Sequence, residues 1–547
     1  MTNTLQTRRL RASRLVAIAA TLFAASSAQS TPLTVGEFIY RQGTLPSGEL
    51  LVAQREGEVR VEGAAAACIN CHRRSGLGMR EGQRTIPPIA GSYLFQPRAS
   101  AGDEPDLPFV DAMRADRDPY TDSTLARAIR DGIAADGKPL SYLMPHYALD
   151  DEQMAALIEY LKRLSPGPSP GVTESVLHFA TIVTPDADAV KRRGMLEVLE
   201  KFFADKNHYT RAQSPALHSS RRMMFKVNRR WELHVWQLTG PPASWQAQLR
   251  EKLAAQPVFA VLSGMGAGEW TPIHRFCEEQ ALPCLFPNVD LPAFEQGEFD
   301  NLYLSQGVLL EARMIARELE ALPANSQPHR VLQLYRTNDV GKAAAEKLEA
   351  TLVTQNVFVT SRSVAANATE REFAAALRDV RPGDSLVLWL RPGDVSRLPV
   401  PPPGVLHVFL SGRMAGLERA PLAQGWRLIT RMAYPFDLPE QRRARLNYAL
   451  GWFRIRQIPI VDEQVQTDTY LVCGLVSETL NHMVDAFVRD YLVERVEGML
   501  EHRAITGYYP RLSLAPGQRF ASKGGYFVQF AQPTGTHIVA QSHWIVP

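Results

Sequence analysis

The chain has 547 residues, of which 45% are hydrophobic and 21% are charged, and its formal net charge is +3. This is an ordinary globular composition, and the length suffices for two or three domains of ~100–200 residues each. The near balance of charge, with no long basic run, argues against nucleic acid as a partner.

The first 28 residues have the organisation of a secretory signal. Four arginines between Arg8 and Arg14 precede an apolar stretch from Leu15 to Ala25, and small residues follow it up to Ala28. We predict a Sec-type signal peptide over residues 1–28 and therefore a periplasmic protein. A twin-arginine signal is one alternative, and an uncleaved anchor is another, although its apolar core is shorter than the ~20 residues that cross a bilayer. No later segment has the pattern of a membrane span.

The run Cys68-Ile69-Asn70-Cys71-His72 is the most specific motif in the chain. C-x-x-C-H is the attachment pattern of a c-type haem, in which two thiols hold the porphyrin edge and the adjacent imidazole reaches the iron. A structural zinc site needs four ligands, but the other three cysteines lie at position 277 or beyond. A thioredoxin-like site expects a strand before the motif and a helix after it. We predict one covalent haem c held by Cys68, Cys71 and His72.

Helical patterns flank this motif. The segment from Val35 to Tyr40 has the pattern of a short amphipathic helix, and a longer helix is predicted from Asp150, as its N-cap, to Leu164. Together with the motif, these helices resemble class I cytochromes c, in which the first and last helices cross closely. Gly36, Tyr40 and Tyr160 match the residues at that crossing. The resemblance implies a small all-α cytochrome c domain over residues 29–164.

The same resemblance supplies the remaining haem contacts. Residues 143–147 resemble the family's methionine loop, which implies that Met144 binds the iron opposite His72. Pro87 matches the proline whose carbonyl accepts a hydrogen bond from the proximal imidazole. His146 stays open as a rival iron ligand. A thioether ligand raises the potential and closes the coordination site, which favours electron transfer over catalysis.

A segment rich in Pro and Gly, from Ser165 to Gly171, predicts a linker over residues 165–174. The domain that follows, 175–547, alternates strand and helix patterns, which predicts parallel sheets with helices on both faces. A break near residues 308–324 divides them into two lobes. The predicted strands are Val176–Val183, Trp231–Leu238, Val258–Leu262, Leu285–Pro287, Val331–Tyr335, Val357–Thr360, Leu386–Trp389 and Leu406–Leu410. The predicted helices are Ala187–Ala204, Ser244–Ala255, Pro272–Gln280, Leu309–Leu322, Val340–Thr354 and Arg371–Val380.

This order of elements resembles type I periplasmic solute-binding proteins, the group that includes branched-chain amino acid receptors. The matching stretches are Phe259–Gly264, Leu282–Pro287, Asn301–Tyr303 and Arg511–Phe530. The resemblance implies a two-lobed α/β domain whose ligand cleft includes the loop after the third strand, with Ser263, Gly264 and Trp270 as candidate ligand contacts. Glu269 in that loop would repel a ligand carboxylate, so an amino acid ligand is not expected.

Three cysteines lie outside the haem motif. Cys277 and Cys284 are either a short-range disulfide or two buried thiols, and Cys473 is expected to be free and buried.

Three classes of function remain open. The first is an electron-transfer cytochrome whose receptor-like domain docks a periplasmic dehydrogenase or terminal acceptor, or binds a small molecule. The second is a solute receptor or haem-based sensor in which ligand binding is the primary activity. The third is an enzyme such as a peroxidase, but c-type peroxidases use two haem motifs and this chain has one. We expect an electron carrier rather than a catalyst.

Overall fold

The computed structural model describes residues 34–55, 57, 59–81, 84–96, 118–208, 229–323, 326–483 and 486–547. The predicted signal peptide at 1–28 lies outside these residues. Within the described part of the chain, no helix is both long enough and apolar enough to span a membrane. Residues 34–547 pack together as one unit.

Short helices surround the first apolar core, which residues 34–164 form. The helices are α1 (Val35–Gln42), α2 (Ile69–His72), α3 (Gly91–Leu94), α4 (Asp122–Asp131) and α5 (Asp151–Arg163). Asp150 caps α5, since its side chain accepts a hydrogen bond from Gln153 N and the Gln153 side chain bonds back to Asp150 N. This reciprocal pair was the predicted start of the helix.

Five short strands also belong to this region. They are β1 (Val52–Arg55), β2 (Val59–Glu62), β3 (Met79–Glu81), β4 (Arg84–Ile86) and β5 (His146–Tyr147). β1 pairs antiparallel with both β2 and β5, and β3 pairs with β4. The prediction of an all-α domain is wrong in this respect. The expectation came from the resemblance to class I cytochromes c, and strands of two to four residues are too short to leave a period-two pattern in the sequence that would have corrected it.

Helices α1 and α5 cross at Gly36, as the resemblance implied. A Cβ built on Gly36 would lie 2.2 Å from the carbonyl oxygen of Ala156, so no larger residue fits without moving a backbone. The rings of Tyr40 and Tyr160 pack beside the crossing with their centroids 5.3 Å apart. The first and last helices of this region are therefore held in direct backbone contact.

Substitution Gly36→Ala is expected to destabilise the protein by about 1–3 kcal/mol, because the added methyl must push the two helices apart. Denaturant unfolding measures the loss. Gly498→Ala is the matched control in the helix formed by Arg489–Glu501, where a built Cβ meets no atom within 4 Å. That control should be neutral or stabilising by up to ~1 kcal/mol. Equal unfolding free energies for the two variants would contradict a close crossing.

The Pro/Gly-rich segment is mostly exposed but is bonded at both ends. Ser165 Oγ donates a hydrogen bond to Ser75 O at 2.6 Å. Ser169 N donates to Phe487 O at 2.9 Å, and Ser169 Oγ accepts from Arg489 N at 3.0 Å. The segment therefore contacts the first core at one end and a distant helix of the chain at the other.

Two sheets form the core of residues 175–547, one in each predicted lobe. The first lobe contains β6 (Val176–Val183), β7 (Arg230–Gln237), β8 (Ala260–Leu262), β9 (Met265–Gly266), β10 (Cys284–Leu285), β11 (Asn288–Val289) and β12 (Asn301–Leu302). The strand order is β11-β9-β6-β8-β10-β12, with β7 beside β6, and these pairs are parallel.

The second lobe contains β13 (Val331–Arg336), β14 (Val359–Val364), β15 (Ser385–Trp389), β16 (His407–Ser411), β17 (Thr430–Tyr434), β18 (Tyr526–Phe530) and β19 (Ile538–Ala540). Its order is β14-β13-β15-β16-β17-β18-β19, in which only the pairs made by β18 are antiparallel. The two-lobed, mainly parallel arrangement confirms the fold class predicted for this domain.

Helices cover both faces of these sheets. They are α6 (Ala189–His208), α7 (Trp245–Ala255), α8 (Thr271–Glu279), α9 (Val308–Glu320), α10 (Gly341–Thr354), α11 (Glu370–Leu377), α12 (Pro392–Val395), α13 (Gly412–Ala415), α14 (Gln424–Arg427), α15 (Pro439–Ile455), α16 (Glu463–Met483) and α17 (Arg489–Glu501). β15 illustrates the layering, since Leu386 and Leu388 belong to one apolar cluster while Val387 and Trp389 belong to another. A strand that is buried on both faces has a nearly continuous run of apolar residues in its sequence. This run made β15 predictable from the sequence.

Candidate functional site

The single-turn helix α2 presents the side chains of the C-x-x-C-H motif together. Cys68 and Cys71 are free thiols that are partly exposed, whereas His72 is buried. Nδ1 of His72 donates a hydrogen bond to Pro87 O at 3.1 Å, and no described residue bonds to its Nε2. Burial lowers the pKa of His72 to about 4, although the bond to Pro87 raises it. The imidazole is therefore neutral near pH 7, with the Nε2 lone pair available to a metal.

Gly78 holds the Pro87 loop against the motif. Its φ is +74°, and a built Cβ would lie 2.2 Å from Ile86 O and 3.0 Å from Pro87 O. Gly78 N also donates to His72 O at 3.3 Å. Because only glycine adopts this conformation without a steric penalty, the residue fixes the distance between His72 and its carbonyl partner.

Met144 and His146 lie in different environments. Met144 is partly buried and packs against the same apolar core as Cys68. His146 is exposed, while its neighbour in β5, Tyr147, is buried and donates a hydrogen bond to Ala66 O at 2.8 Å. Since successive side chains of a strand point to opposite faces, His146 points away from the core that Tyr147 and Met144 share. This arrangement favours Met144 over His146 as the partner of His72.

The donor set fits a covalently attached haem. Two free thiols stand three residues apart, the adjacent imidazole is buried and neutral, and one thioether lines the same core. Thiols attach the porphyrin edge, and imidazole with thioether is an axial pair used by cytochromes c. Two thiols, one imidazole and one thioether are therefore the side chains that a covalently attached haem c requires.

The three residues after the motif bind α17, far along the chain. The guanidinium of Arg73 pairs with Glu497, although the two are 424 residues apart in sequence. Arg74 bonds to Asp490 at 3.2 Å. Ser75 donates from its backbone N and its Oγ to the carboxylate of Glu494, at 2.8 Å and 2.6 Å. The segment that follows the C-x-x-C-H motif is thus anchored directly to α17, more than 400 residues later in the chain.

These contacts are buried. Glu497 is 3% exposed and also pairs with Arg519, whose side chain is 1% exposed. Burial raises the pKa of Glu494 to about 8, although Arg73 and the hydrogen bonds from Ser75 lower it. No sequence signal pointed to these residues. Their only visible pattern is that Glu494 and Glu497 lie three apart on one helix, and such charges are usually solvated.

The predicted ligand contacts in residues 175–547 are packed against other residues of the chain. Ser263 is 1% exposed and accepts a hydrogen bond from Asn288 Nδ2 at 2.8 Å. Trp270 is 2% exposed, and a Cβ built on Gly264 would lie 3.3 Å from its ring. Glu269 is exposed beside the start of α8. The structure brings Ser263, Gly264 and Trp270 together. Other residues of the same chain bury Ser263 and Trp270, so neither is open to a ligand.

Ion pairs join the two lobes next to these residues. Asp290, which follows β11 in the first lobe, pairs with Arg391 at 2.9 Å and with Arg413 at 3.4 Å, both in the second lobe. Arg391 also pairs with Asp339 at 2.7 Å. Burial raises the pKa of Asp290, but the two arginines outweigh it and bring the pKa to about 2. Charges of the chain itself therefore bridge the lobes.

The cysteines outside the motif are now assigned. Cys277 in α8 and Cys284 in β10 form a disulfide, which decides between the two alternatives left open by the sequence. Cys473 in α16 is free and buried, as predicted.

Comparison with known protein families finds a match around the C-x-x-C-H motif. Residues 62–165 match the sequence model of the cytochrome c family. That range contains Cys68, Cys71, His72, Pro87 and Met144. Members of this family carry covalently bound haem, so the match implies the same group here. No curated protein sequence matches the chain.

Solved structures of substrate-binding proteins are similar to the chain. A fatty acid ABC transporter substrate-binding protein from Thermomonospora curvata is 13% identical, with a TM-score of 0.48, and the match covers 70% of this chain and 95% of that protein. A leucine-binding protein from Thermotoga maritima is 10% identical, with a TM-score of 0.46. The match covers 68% of this chain and 99% of that protein. A branched-chain amino acid transporter substrate-binding protein from Streptococcus pneumoniae, in complex with isoleucine, is 9% identical, with a TM-score of 0.47 and coverages of 68% and 100%.

Proposed function

We propose that this protein is a periplasmic c-type cytochrome that transfers electrons through one covalently bound haem. Cys68 and Cys71 would attach the group, His72 and Met144 would bind its iron, and Pro87 orients the imidazole. The observation that carries this proposal is the buried, neutral His72, whose Nδ1 donates to Pro87 O and whose Nε2 bonds to no residue in the described part of the chain. The match of residues 62–165 to the cytochrome c family supports it.

The residues of the chain have separate tasks in this function. When bound, the haem supplies a one-electron redox centre. Pro87 fixes the ring orientation and the tautomer of His72, which raises the basicity of the ligand nitrogen. Met144, which packs against the same core as Cys68, would bind the iron through its thioether and exclude external ligands. We assign these tasks to a cytochrome domain at 29–164, followed by the linker at 165–174 and the receptor-like domain at 175–547.

The receptor-like domain is proposed to dock a redox partner, such as a periplasmic dehydrogenase or a terminal acceptor. Two observations support docking over solute capture. The candidate cleft residues Ser263 and Trp270 are almost fully buried. The lobes are also bridged by Asp290 and Arg391, so a solute would have to displace an existing ion pair.

A solute receptor or haem-based sensor is the second candidate. It is favoured by one observation, the direct ion pair between Arg73, beside the proximal histidine, and Glu497 in the second domain. A change in the second domain that moves α17 would reach the haem segment through this pair. A thermal-shift screen of small solutes separates the candidates, because a ligand at a hundred times its dissociation constant stabilises by ~2.7 kcal/mol.

The test of the proposal is carbon monoxide binding to the purified periplasmic protein. We expect a coloured protein that retains one haem per chain after denaturation, is reduced reversibly, and binds carbon monoxide only after slow loss of the sixth ligand. Stopped-flow absorbance measures this rate, which should not increase with carbon monoxide concentration at high concentration. A colourless protein would refute the haem proposal. Immediate, concentration-dependent binding would favour the sensor.

A further inference from the structure

Two histidines and a glutamate converge on one face of the first-lobe sheet, remote in sequence from the haem motif. His178 lies on β6, and Glu232 and His234 lie on the neighbouring parallel strand β7. In the register of the two strands, His178 pairs with Glu232 and Ala180 pairs with His234. Residues two apart on a strand share a face, so all three side chains project to the same side of the sheet.

The separations of their ligand atoms match those around a single metal ion. His178 Nδ1 lies 3.1 Å from His234 Nε2 and 3.9 Å from a carboxylate oxygen of Glu232. His234 Nε2 lies 4.0 Å from the other carboxylate oxygen. Around tetrahedral zinc, with bonds of ~2.0–2.1 Å, neighbouring ligand atoms stand about 3.4 Å apart. The three observed separations bracket this value, so an ion fits with only small side-chain rotations.

The charge and exposure of the cluster also suit a cation. Glu232 supplies the negative charge and is 43% exposed, which leaves the outer side of the cluster open. Arg230 approaches this carboxylate to 3.6 Å, but its side chain is 48% exposed and is free to move into solvent.

We propose that His178, Glu232 and His234 form a binding site for Zn²⁺. Two imidazoles and one carboxylate are a ligand set that zinc accepts, with a fourth position left for water or a ligand from a partner. Mg²⁺ and Ca²⁺ prefer oxygen ligands and are excluded by the two nitrogens. Among the described strands β7 pairs only with β6, so the ion clamps an edge strand to the sheet.

Calorimetric titration of the untagged, haem-loaded protein with Zn²⁺, after removal of metals with a chelator, tests the site. We expect one zinc ion per chain with a dissociation constant in the micromolar range or tighter, and no change in the haem spectrum. Glu232→Gln and His234→Gln should each weaken zinc binding at least about tenfold. Removing a residue that only hydrogen-bonds to a metal ligand already lowers metal affinity about 10–100-fold. Because Glu232 is 43% exposed, its substitution is not expected to disturb folding, so weaker zinc binding by Glu232→Gln reports the loss of a ligand.

His537→Gln is the matched control. His537 is exposed, and its Nε2 faces Glu440 at 3.4 Å, so it has the same His–Glu pairing without a second histidine. Its zinc binding should equal that of the unchanged protein. Wild-type zinc affinity in a folded Glu232→Gln, His234→Gln double variant would overturn the proposal. So would the absence of any zinc binding by the unchanged protein, in which case the histidines form only a hydrogen-bonded pair.

Discussion

Replacing Met144 with alanine is expected to lower the reduction potential by about 0.1 V or more, because axial ligands set haem potentials over a range of ~0.8 V. A thioether stabilises ferrous iron, and its loss favours the ferric form. The same substitution should remove the far-red absorption of sulfur-ligated ferric haem and allow immediate carbon monoxide binding. Redox titration followed by absorbance measures the potential and the spectrum in one experiment.

Two control variants make this result specific. Met79→Ala removes another partly buried methionine close to the motif, and it should keep the far-red band and the potential. His146→Ala removes the rival ligand, whose side chain points away from the core in the structure. If Met144→Ala leaves the spectrum unchanged while His146→Ala alters it, His146 is the ligand and the assignment of Met144 is wrong.

Removing the carboxylate of Glu497 is expected to destabilise the protein by about 3–5 kcal/mol, because Glu497→Ala takes the carboxylate partner from two largely buried guanidiniums. Arg73 and Arg519 both bond to this carboxylate, and their side chains are 12% and 1% exposed. The measurement is denaturant unfolding at neutral pH. Breaking a buried pair costs more than the net value of the pair, because the remaining charges stay desolvated.

Two optical probes locate the effect. All eight tryptophans lie at position 231 or later, so their fluorescence reports residues 175–547, whereas haem absorbance reports the region around the C-x-x-C-H motif. In the unchanged protein the two signals should unfold together. In Glu497→Ala we expect the haem transition to move to lower denaturant than the tryptophan transition, since the contact between the two domains is weakened.

Glu501→Ala is the control on the same helix. Glu501 pairs with Arg511 at 3.7 Å, and the two side chains are 55% and 74% exposed. An exposed pair of this kind contributes ~0–1 kcal/mol, so its loss should barely change either transition. If both variants lose the same stability, the buried network does not hold the domains together.

The sequence predicted those features that depend on neighbouring residues. The haem motif is contained in five consecutive positions, and strands such as β15 contain continuous apolar runs, here Leu386–Trp389. It did not predict the antiparallel pairing of β1 with β5, because Ala53 and Tyr147 come together only in the folded chain. The helices from residue 439 to 501 were also missed, because their apolar residues face several neighbours and leave no single stripe.

Some contacts of the candidate site were also implied by the sequence, and others were not. The bond from His72 to Pro87 was implied by the resemblance, since both residues lie in recognisable local patterns. The anchoring of Ser75 by Glu494 was not, because the two are 419 residues apart and neither belongs to a motif. Exposure was also beyond the sequence: Ser263 and Trp270 were chosen as ligand contacts, and only the packing of the lobes reveals that they are covered.

The pairing of Arg73 with Glu497 sets an order of events during biogenesis. Glu497 follows Arg73 by 424 residues, so a chain that emerges from its N-terminus presents the two thiols long before the carboxylate that binds the segment beside them. Until the helix Arg489–Glu501 packs, Arg73 has no carboxylate partner there, so the motif segment stays open to covalent attachment, and packing of that helix ends this period.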